Sequence, residues 1–317
     1  MNLLITGGSG FIAGRLLKHL YSKVENVLLV TRNRNLSFNI SENIKTTIID
    51  WDNQSHLENL CKNIDIVIHT AGMNSKDCFE NPDLAIKFNG YKTLELINAS
   101  IKNNIKKFIF LSTAHVYSHF LKGTINEDTK TLNSHPYAKS NRIAEDFLIE
   151  SISNSQLKGM IIRLSNIFGK PLSIESDCWH LVVQDICLQA IKNKKIFLKT
   201  NGFQKRDFIP MSSLCFLVEK IIKDNLEVEN NILNFGSGKS QTILEMATFI
   251  QERTMKNFGF SPEIIVNDKD NNIDKYCLNY NSKFKFVSSL EIETNKYKEV
   301  DDILHFCKYN FNNSKLI

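Results

Sequence analysis

The chain has 317 residues, 42% hydrophobic and 23% charged, with a formal net charge of +5 at pH 7. That length and composition can bury a large core, fit one big or two modest domains, and exclude a disordered or fibrous chain. The basic residues are scattered, and the cluster Lys192, Lys194, Lys195 reads as a solvated helix end. No nucleic-acid partner is therefore expected, while mild positive charge suits a phosphate-bearing small molecule.

In the first half, short apolar runs alternate with amphipathic segments. Strands are expected at Leu3–Thr6, Val27–Thr31, Thr47–Asp50, Ile64–His69, Phe108–Ser112 and Met160–Leu164. Helices are expected between them, at 11–22, 54–62, 83–104 and 136–152, with Pro136 suited to a first helical position. Short β-branched runs separated by helices imply βαβ units and a parallel sheet covered on both faces. The second half is less regular. Helices are expected at 178–192, 212–223, 242–257 and 299–309, and short strands near 196–199, 232–235 and 263–266. It reads as a smaller C-terminal α/β region, 166–317, after a first domain of 1–165, with some of its strands and helices returning to that domain.

Gly7, Gly10 and the small Ala13 follow the first strand and open the first helix. Glycine permits the tight turn and lets backbone approach a pyrophosphate, and a helix N-terminus supplies free N–H groups and positive potential. The turn Gly7, Ser9, Gly10, Phe11 and Ile12 is therefore read as dinucleotide-binding. The second strand ends in Thr31-Arg32-Asn33-Arg34, where an acidic residue would bond ribose hydroxyls. A guanidinium at Arg32 suits a 2′-phosphate instead, so NADP(H) is expected, with NAD possible. Asp50, or the backbone of Trp51, is placed against the adenine.

The seven cysteines, Cys61, Cys78, Cys178, Cys187, Cys215, Cys277 and Cys307, form no CxxC pair and no Cys/His ligand spacing. They read as free buried thiols of a reducing compartment, with no metal site and a cytoplasmic location. Met1 runs straight into an apolar strand without a basic leader, and no apolar run reaches about 18 residues, so no membrane span is expected.

With these residues in view, the chain resembles the extended short-chain dehydrogenase/reductase family of nucleotide-sugar epimerases, dehydratases and reductases. The ordered motifs are Thr6-Gly-Gly-Ser-Gly-Phe11; His69-Thr70-Ala71-Gly72; Asn89 with Thr93 and Ala99; Ser112-Thr113-Ala114-His115-Val116-Tyr117; and Tyr137. They continue with Arg163-Leu-Ser-Asn166-Ile-Phe-Gly169, Arg206-Asp207-Phe208-Ile209-Pro210 and Asn234-Phe235-Gly236. The resemblance implies an α/β fold, a doubly wound parallel (Rossmann) sheet with a smaller C-terminal substrate domain. It implies that Thr70, Ala71, Gly72 and Asn89 lie beside the cofactor. Thr113 and Tyr137 would serve catalysis, Asn166 and Arg206 would meet a nucleotide-sugar, and helices 83–104 and 136–152 would pair subunits into a homodimer.

The family places a lysine four residues after the catalytic tyrosine, a neighbouring position on the helix face. Its charge lowers the phenol pKa from about 10 and orients the nicotinamide ribose. Here Asn141 stands in its place: it can bond a ribose hydroxyl but carries no charge. Lys139 lies about 200° around the helix from Tyr137, and Arg142 points elsewhere. The family's 4,6-dehydratases carry an Asp-Glu pair after the threonine, where this chain has Ala114 and His115, against that activity. His115 also occupies the place of a cysteine acid/base in the epimerase–reductase that makes GDP-fucose, whose partner histidine corresponds to His180. A bland hydrogen-bonding His115 and a surface His180 form the alternative. Trp179 is read as stacking on a base or lying in the core, and His135 as a turn residue.

The leading expectation is an NADP(H)-dependent reductase of a keto nucleotide-sugar in surface-glycan precursor synthesis. A nucleotide-sugar epimerase is the alternative, and a non-catalytic cofactor-bound regulatory or scaffold protein is the second.

Overall fold

The apolar runs become strands because their side chains fill the space on both sides of one sheet. The computed structural model describes residues 1–34, 40–267, 277–284, 286–287 and 292–311. In chain order the elements are β1 (Asn2–Thr6), α1 (Phe11–Leu20), β2 (Asn26–Thr31), β3 (Ile44–Ile48), α2 (Gln54–Leu60), β4 (Ile66–His69), α3 (Ser75–Glu80), α4 (Pro82–Ala85), α5 (Lys92–Lys102), β5 (Lys107–Thr113), β6 (Gly123–Ile125), α6 (Pro136–Ser153) and β7 (Lys158–Leu164). There follow β8 (Asn166–Phe168), α7 (Val182–Asn193), β9 (Lys195–Leu198), β10 (Lys205–Pro210), α8 (Met211–Lys223), β11 (Ile232–Phe235), β12 (Ser240–Thr242), α9 (Ile243–Phe258), β13 (Glu263–Val266), β14 (Leu278–Tyr280) and α10 (Ile292–Phe311). Two units form: Met1–Leu121 with Glu127–Leu164 and Ile221–Asn234, and Lys122–Asn126 with Ser165–Lys220 and Phe235–Ile317.

The first unit is built on a seven-stranded sheet, order β11-β7-β5-β4-β1-β2-β3, parallel from β7 to β3. Leu3, Leu4, Ile5, Val67, Ile68, Phe108, Ile109 and Ile161 are fully buried, as strands covered on both faces require. Leu57 of α2, Leu96 and Ile97 of α5, and Ala144 and Leu148 of α6 pack with Leu4, Val30, Val67 and Phe108 in one cluster. Each such large side chain contributes about 1.5–3 kcal/mol on burial. The strand order reverses between β1 and β4, and open α/β sheets bind their ligands outside the carboxyl ends of the strands at such a switch point.

An ion pair inside this unit fixes α6 to the sheet. Arg163 of β7 grips Glu145 of α6 in two bonds, Nε to Oε1 at 3.0 Å and a terminal nitrogen to Oε2 at 2.7 Å. Both side chains are essentially inaccessible. Ser112 donates to Glu145 Oε1 at 2.5 Å, Arg163 donates to the Tyr117 hydroxyl at 2.8 Å, and Tyr117 donates to Asn234 Oδ1 at 2.7 Å. Those partners satisfy the pair, which a buried charge needs if it is not to destabilise.

The second unit has its own core. Val183, Ile186, Cys187 and Ala190 of α7, Met246, Ala247 and Ile250 of α9, and Val300, Ile303, Leu304 and Cys307 of α10 pack together with Phe168 and Ile196. Its strands form three small sheets, β12-β10-β8, β13-β9 and β14-β6. α9 begins with a capping box, Thr242 accepting from Glu245 N and the Glu245 carboxylate accepting from Thr242 N, and ends at Gly259 with φ 74°.

Several elements differ from expectation for identifiable reasons. The helix expected over 83–104 is interrupted by a π-helical turn, Ile86–Tyr91, between α4 and α5. There the Thr93 hydroxyl takes the Asn89 carbonyl at 2.6 Å, competing with the α-helical ladder. β3 occupies Ile44–Ile48 rather than Thr47–Asp50, since the chain turns at Asp50, whose carboxylate accepts from Asp52 N at 3.1 Å. α7 starts at Val182, not 178, because Trp179 is drawn onto Phe306 and Phe311. α10 starts earlier, at Ile292, and the three-residue strands β6, β8, β12 and β14 are too short for a periodic signal.

Replacing Glu145 by Ala should lower stability by about 3–5 kcal/mol, because Arg163 is left buried and unpaired. The double variant Glu145→Leu with Arg163→Met should lose less than the single one. Urea unfolding midpoints would decide it, and equal losses would refute the ion-pair account.

Candidate functional site

The turn after β1 meets the end of β4 at the point where the strand order reverses. Gly7 has φ 77°, and a Cβ there would lie 2.7 Å from Thr70 Oγ1 and 3.0 Å from Ala71 N. Only glycine fits that conformation and that approach. Gly10 caps α1 with no side-chain acceptor, and the first turn holds no acidic residue. Its N–H groups and its positive pole are therefore not neutralised by a local side chain. Ser9 and Gly10 are exposed, Ile12 is half-buried and Phe11 enters the core.

Behind this turn runs a hydrogen-bond chain whose proton order follows from its last member. The Thr93 hydroxyl donates to Asn89 O, so it accepts from His69 Nε2 at 2.9 Å. His69 Nδ1 is then the bare nitrogen and accepts from the Thr6 hydroxyl at 2.8 Å. Thr6 Oγ1 in turn accepts from Thr70 N and Ala71 N, both at 3.1 Å. His69 is buried against Phe108, Phe110 and Trp51. Burial pushes its pKa down to about 3, so the ring stays neutral. Asn89 accepts from Met73 N at 2.7 Å and donates to Ser140 Oγ at 3.0 Å, joining the π-helical turn to α6. A Cβ added at Gly72 would lie 3.5 Å from Asn89 Oδ1, in ordinary van der Waals contact.

On the other side of the turn, Trp51 and Arg32 share the Phe88 ring: Trp51 meets it edge-on at 5.5 Å and the Arg32 guanidinium lies 5.1 Å above it. Thr31 is buried and accepts from Asn33 N at 3.0 Å, while Asp50 is exposed. The glycine turn, the Thr70–Gly72 segment and the Arg32 corner follow the carboxyl ends of β1, β4 and β2, where open α/β sheets take their ligands.

Thr113 and Tyr137 come together across β5 and α6. Burial raises the Tyr137 phenol above its ordinary pKa; a hydrogen bond from Thr113 opposes this, and nearby Cys78 adds to it. No basic residue contributes among the described residues. Asn141 turns its amide back onto the helix, Nδ2 donating to Tyr137 O at 2.8 Å. Arg142 bonds Asp146 and Thr131, and Lys139 is exposed. His135 caps α6, its Nδ1 accepting from Tyr137 N at 3.2 Å. His115 is half-buried, its own N–H bonded to Thr113 Oγ1 at 3.1 Å and its carbonyl to Asn133.

The remaining candidates lie in the second unit. Asn166 donates to Asp207 O at 2.9 Å, Arg206 donates to Lys205 O and Gln204 Oε1, and His180 is exposed beside Asp177 at 3.2 Å. Trp179 stacks on Phe306 and donates to Ile174 O, taking the core alternative of its two readings. Sequence reasoning missed Cys78, Ser140, the Glu145–Arg163 pair and the hydrogen bonds of Thr6, which it named only as the start of the glycine motif. Ser140 left no pattern beyond being a small hydroxyl residue, and Cys78 looked like any other dispersed thiol.

A model of the NAD dependent epimerase/dehydratase family matches residues 3–236. The dTDP-D-glucose 4,6-dehydratase of Homo sapiens is 25% identical, covering 86% of this chain and 81% of its own length. A bifunctional UDP-glucose 4-epimerase and UDP-xylose 4-epimerase of Pisum sativum is 24% identical over 81% of this chain and 82% of its own. The solved UDP-glucose 4-epimerase from Bifidobacterium longum, in complex with NAD+ and UDP, superposes with a TM-score of 0.78 at 22% identity, covering 98% and 99% of the two chains.

Because the folded His69 pKa is depressed from 6.5 to about 3, the unfolded chain binds this proton first. Stability from this group is complete above the unfolded value and is lost as pH falls through that window. Urea midpoints measured across it should fall more steeply for the native protein than for His69→Gln. Parallel slopes would mean that the ring does not stay neutral in the fold.

Proposed function

The chain belongs to the NAD dependent epimerase/dehydratase family, and from that premise we propose that it reduces a keto nucleotide-sugar with NADPH. The observation that carries this reading is that Asn141, uncharged and bonded back to Tyr137 O at 2.8 Å, stands one turn from the phenol where the family has a lysine, while burial raises the phenol pKa and no cation among the described residues lowers it. A protonated phenol is an acid, which reduction of a carbonyl needs, and a poor base, which oxidation of an alcohol needs.

In this reading the first unit binds the cofactor: the Gly7–Ile12 turn takes the pyrophosphate, Thr70, Ala71, Gly72 and Asn89 flank the nicotinamide half, and Asp50 and Trp51 flank the adenine. Arg32 pairs with the 2′-phosphate, in keeping with a guanidinium already stacked on Phe88. When bound, the reduced nicotinamide supplies hydride to the carbonyl carbon. Tyr137 gives its proton to the carbonyl oxygen, Thr113 hydrogen-bonds that oxygen, and Asn141 holds a ribose hydroxyl through Oδ1. His115 hydrogen-bonds the sugar, while Asn166, Arg206 and His180 of the second unit meet the nucleotide part. The substrate class would place the enzyme in surface-glycan precursor synthesis.

The epimerase and dehydratase relatives favour a second reading, a 4-epimerase with retained cofactor. It needs an efficient oxidation first, the step that an unassisted phenol serves least. Dehydration has less support, since Ala114 and His115 follow Thr113 where a carboxylate pair would be needed. We further propose a cytoplasmic homodimer; no helix among the described residues is long and apolar enough to cross a membrane.

NADPH oxidation with a panel of keto nucleotide-sugars tests the reading. Tyr137→Phe should cost about a hundredfold or more in kcat. Turnover indifferent to that change, or absent until Asn141→Lys is introduced, would overturn a native reductase. Given turnover, Asn141→Lys should move the alkaline limb of the pH–rate profile to lower pH, because an added cation favours phenolate. Arg32→Ala should raise the KM for NADPH about tenfold or more while leaving that for NADH nearly unchanged. An equal effect on both cofactors would remove the 2′-phosphate role.

A further inference from the structure

The helix that carries Tyr137 is capped by a side chain that can gain a proton. α6 opens with Pro136, Tyr137, Ala138 and Lys139. Pro136 has no N–H, and Lys139 N reaches His135 O at 2.9 Å. The Tyr137 N–H has no partner within the helix ladder. His135 Nδ1 supplies one, accepting from it at 3.2 Å. Ser, Thr, Asn and Asp are the usual caps, whereas imidazole is the side chain whose charge changes around neutrality.

The ring is held for that bond. His135 N donates to Asn133 Oδ1 at 3.0 Å. The Phe79 ring of α3 lies 5.8 Å from the imidazole, inclined by 18°, and the His119 ring 6.2 Å from it, inclined by 24°. Because Nδ1 accepts, it carries no proton, and the neutral ring holds its one proton on Nε2. His135 is half-buried, so solvent protons reach it, in contrast to His69 in the core.

Protonation reverses the cap. A proton on Nδ1 sets a donor against the Tyr137 N–H and a positive charge against the positive end of α6. The bond then breaks at the residue whose side chain is the phenol. The charged and titratable groups on the surrounding elements are Lys76, Asp77, Cys78 and Glu80 of α3, His115 and His119 after β5, Asp128 and Lys130 before α6, and Tyr137 and Lys139 in its first turn. Lys76 and Glu80 pair with each other at 3.9 Å, and His119 is in ring contact with His135.

We propose that His135 is a positioning residue for Tyr137. In its neutral form it seats the turn that carries the phenol beside Thr113, and its protonation withdraws that support and lowers turnover on the acid side. The effect on turnover rests on the function proposed above; the titrating cap does not.

NMR of the full chain with isotope-labelled tyrosine reads the cap directly, and Tyr137→Phe identifies the Tyr137 resonances. Its amide and ring resonances should shift together as pH falls from about 8 to 5. In His135→Asn and His135→Ser, whose side chains accept without titrating, that step should vanish. In His119→Phe, which keeps a ring in the stack and removes the neighbouring imidazole, it should persist. In NADPH turnover, His135→Ala should lower kcat about fivefold with KM nearly unchanged, and His135→Asn should restore kcat and flatten the acid limb of the pH–rate profile. No step in the native protein, a step that survives in both His135→Asn and His135→Ser, or one that disappears in His119→Phe would overturn the titrating cap. A step in the amide without one in the ring, or an acid limb equal in native protein and His135→Asn, would overturn the positioning role. Joint amide and ring steps that depend on His135, in a protein that turns over no keto nucleotide-sugar, would support the positioning role and reject the reductase reading.

Discussion

The neutral imidazole of His69 is the constraint on which the nucleotide end of the first unit depends. It sits at the carboxyl end of β4, beside β1, and ties the two strands to the helix that begins at Lys92. Its tautomer is not free: one carbonyl, Asn89 O, sets the direction of every proton back to Thr6. Thr6 then presents its lone pairs to Thr70 N and Ala71 N, which brings that segment against Gly7. A protonated ring would donate from both nitrogens and reverse the Thr6 end of the chain. Low polarity around the ring, supplied by Phe108, Phe110 and Trp51, is thus what gives the glycine turn its close neighbour.

Tyr137 depends on a different device. α6 carries it at the helix start, where Pro136 and the His135 cap set the backbone. Two turns further on, Glu145 is clamped by Arg163 of β7 and bonded by Ser112 of β5. Ser112 is the residue before Thr113. The ion pair therefore fixes the helix that carries the phenol and the strand that carries the hydroxyl beside it with one set of bonds. An apolar replacement could match it in stability, but a hydrogen-bonded pair also specifies register and rotation.

Much of this was legible in the sequence. The period of the apolar runs gave the parallel sheet, because strands buried on both faces need continuous Leu, Ile and Val. Gly7 and Gly10 were readable because a backbone with positive φ, or one in close approach, admits few residues. What stayed hidden were partnerships. Arg163 stood in a segment read for its substrate, yet its charge is spent on Glu145, eighteen positions earlier in the chain. The break at Ile86–Tyr91 could not be seen in a pattern of apolar positions, since there the Thr93 hydroxyl competes with the helix for the Asn89 carbonyl. Trp179 looked equally suited to a base or a core until α10 supplied Phe306 and Phe311.

The polar groups of the chain divide by how completely the fold itself satisfies them. At His69 both ring nitrogens have partners, and at Glu145 both carboxylate oxygens do, so those groups have no capacity left for a ligand. Asn141 gives an amide hydrogen to Tyr137 O and carries no charge, which makes it a poor stand-in for a cation. Burial raises the pKa of the Tyr137 phenol beside it, and the Thr113 hydrogen bond opposes that shift. Gln241 is one contrasting case, an amide oriented by Lys296 whose donor end has no partner among the described residues. Asn43 Oδ1, Gln184 Oε1 and Ser212 Oγ are likewise buried without a partner among the described residues, so an open group is not by itself the mark of a ligand site.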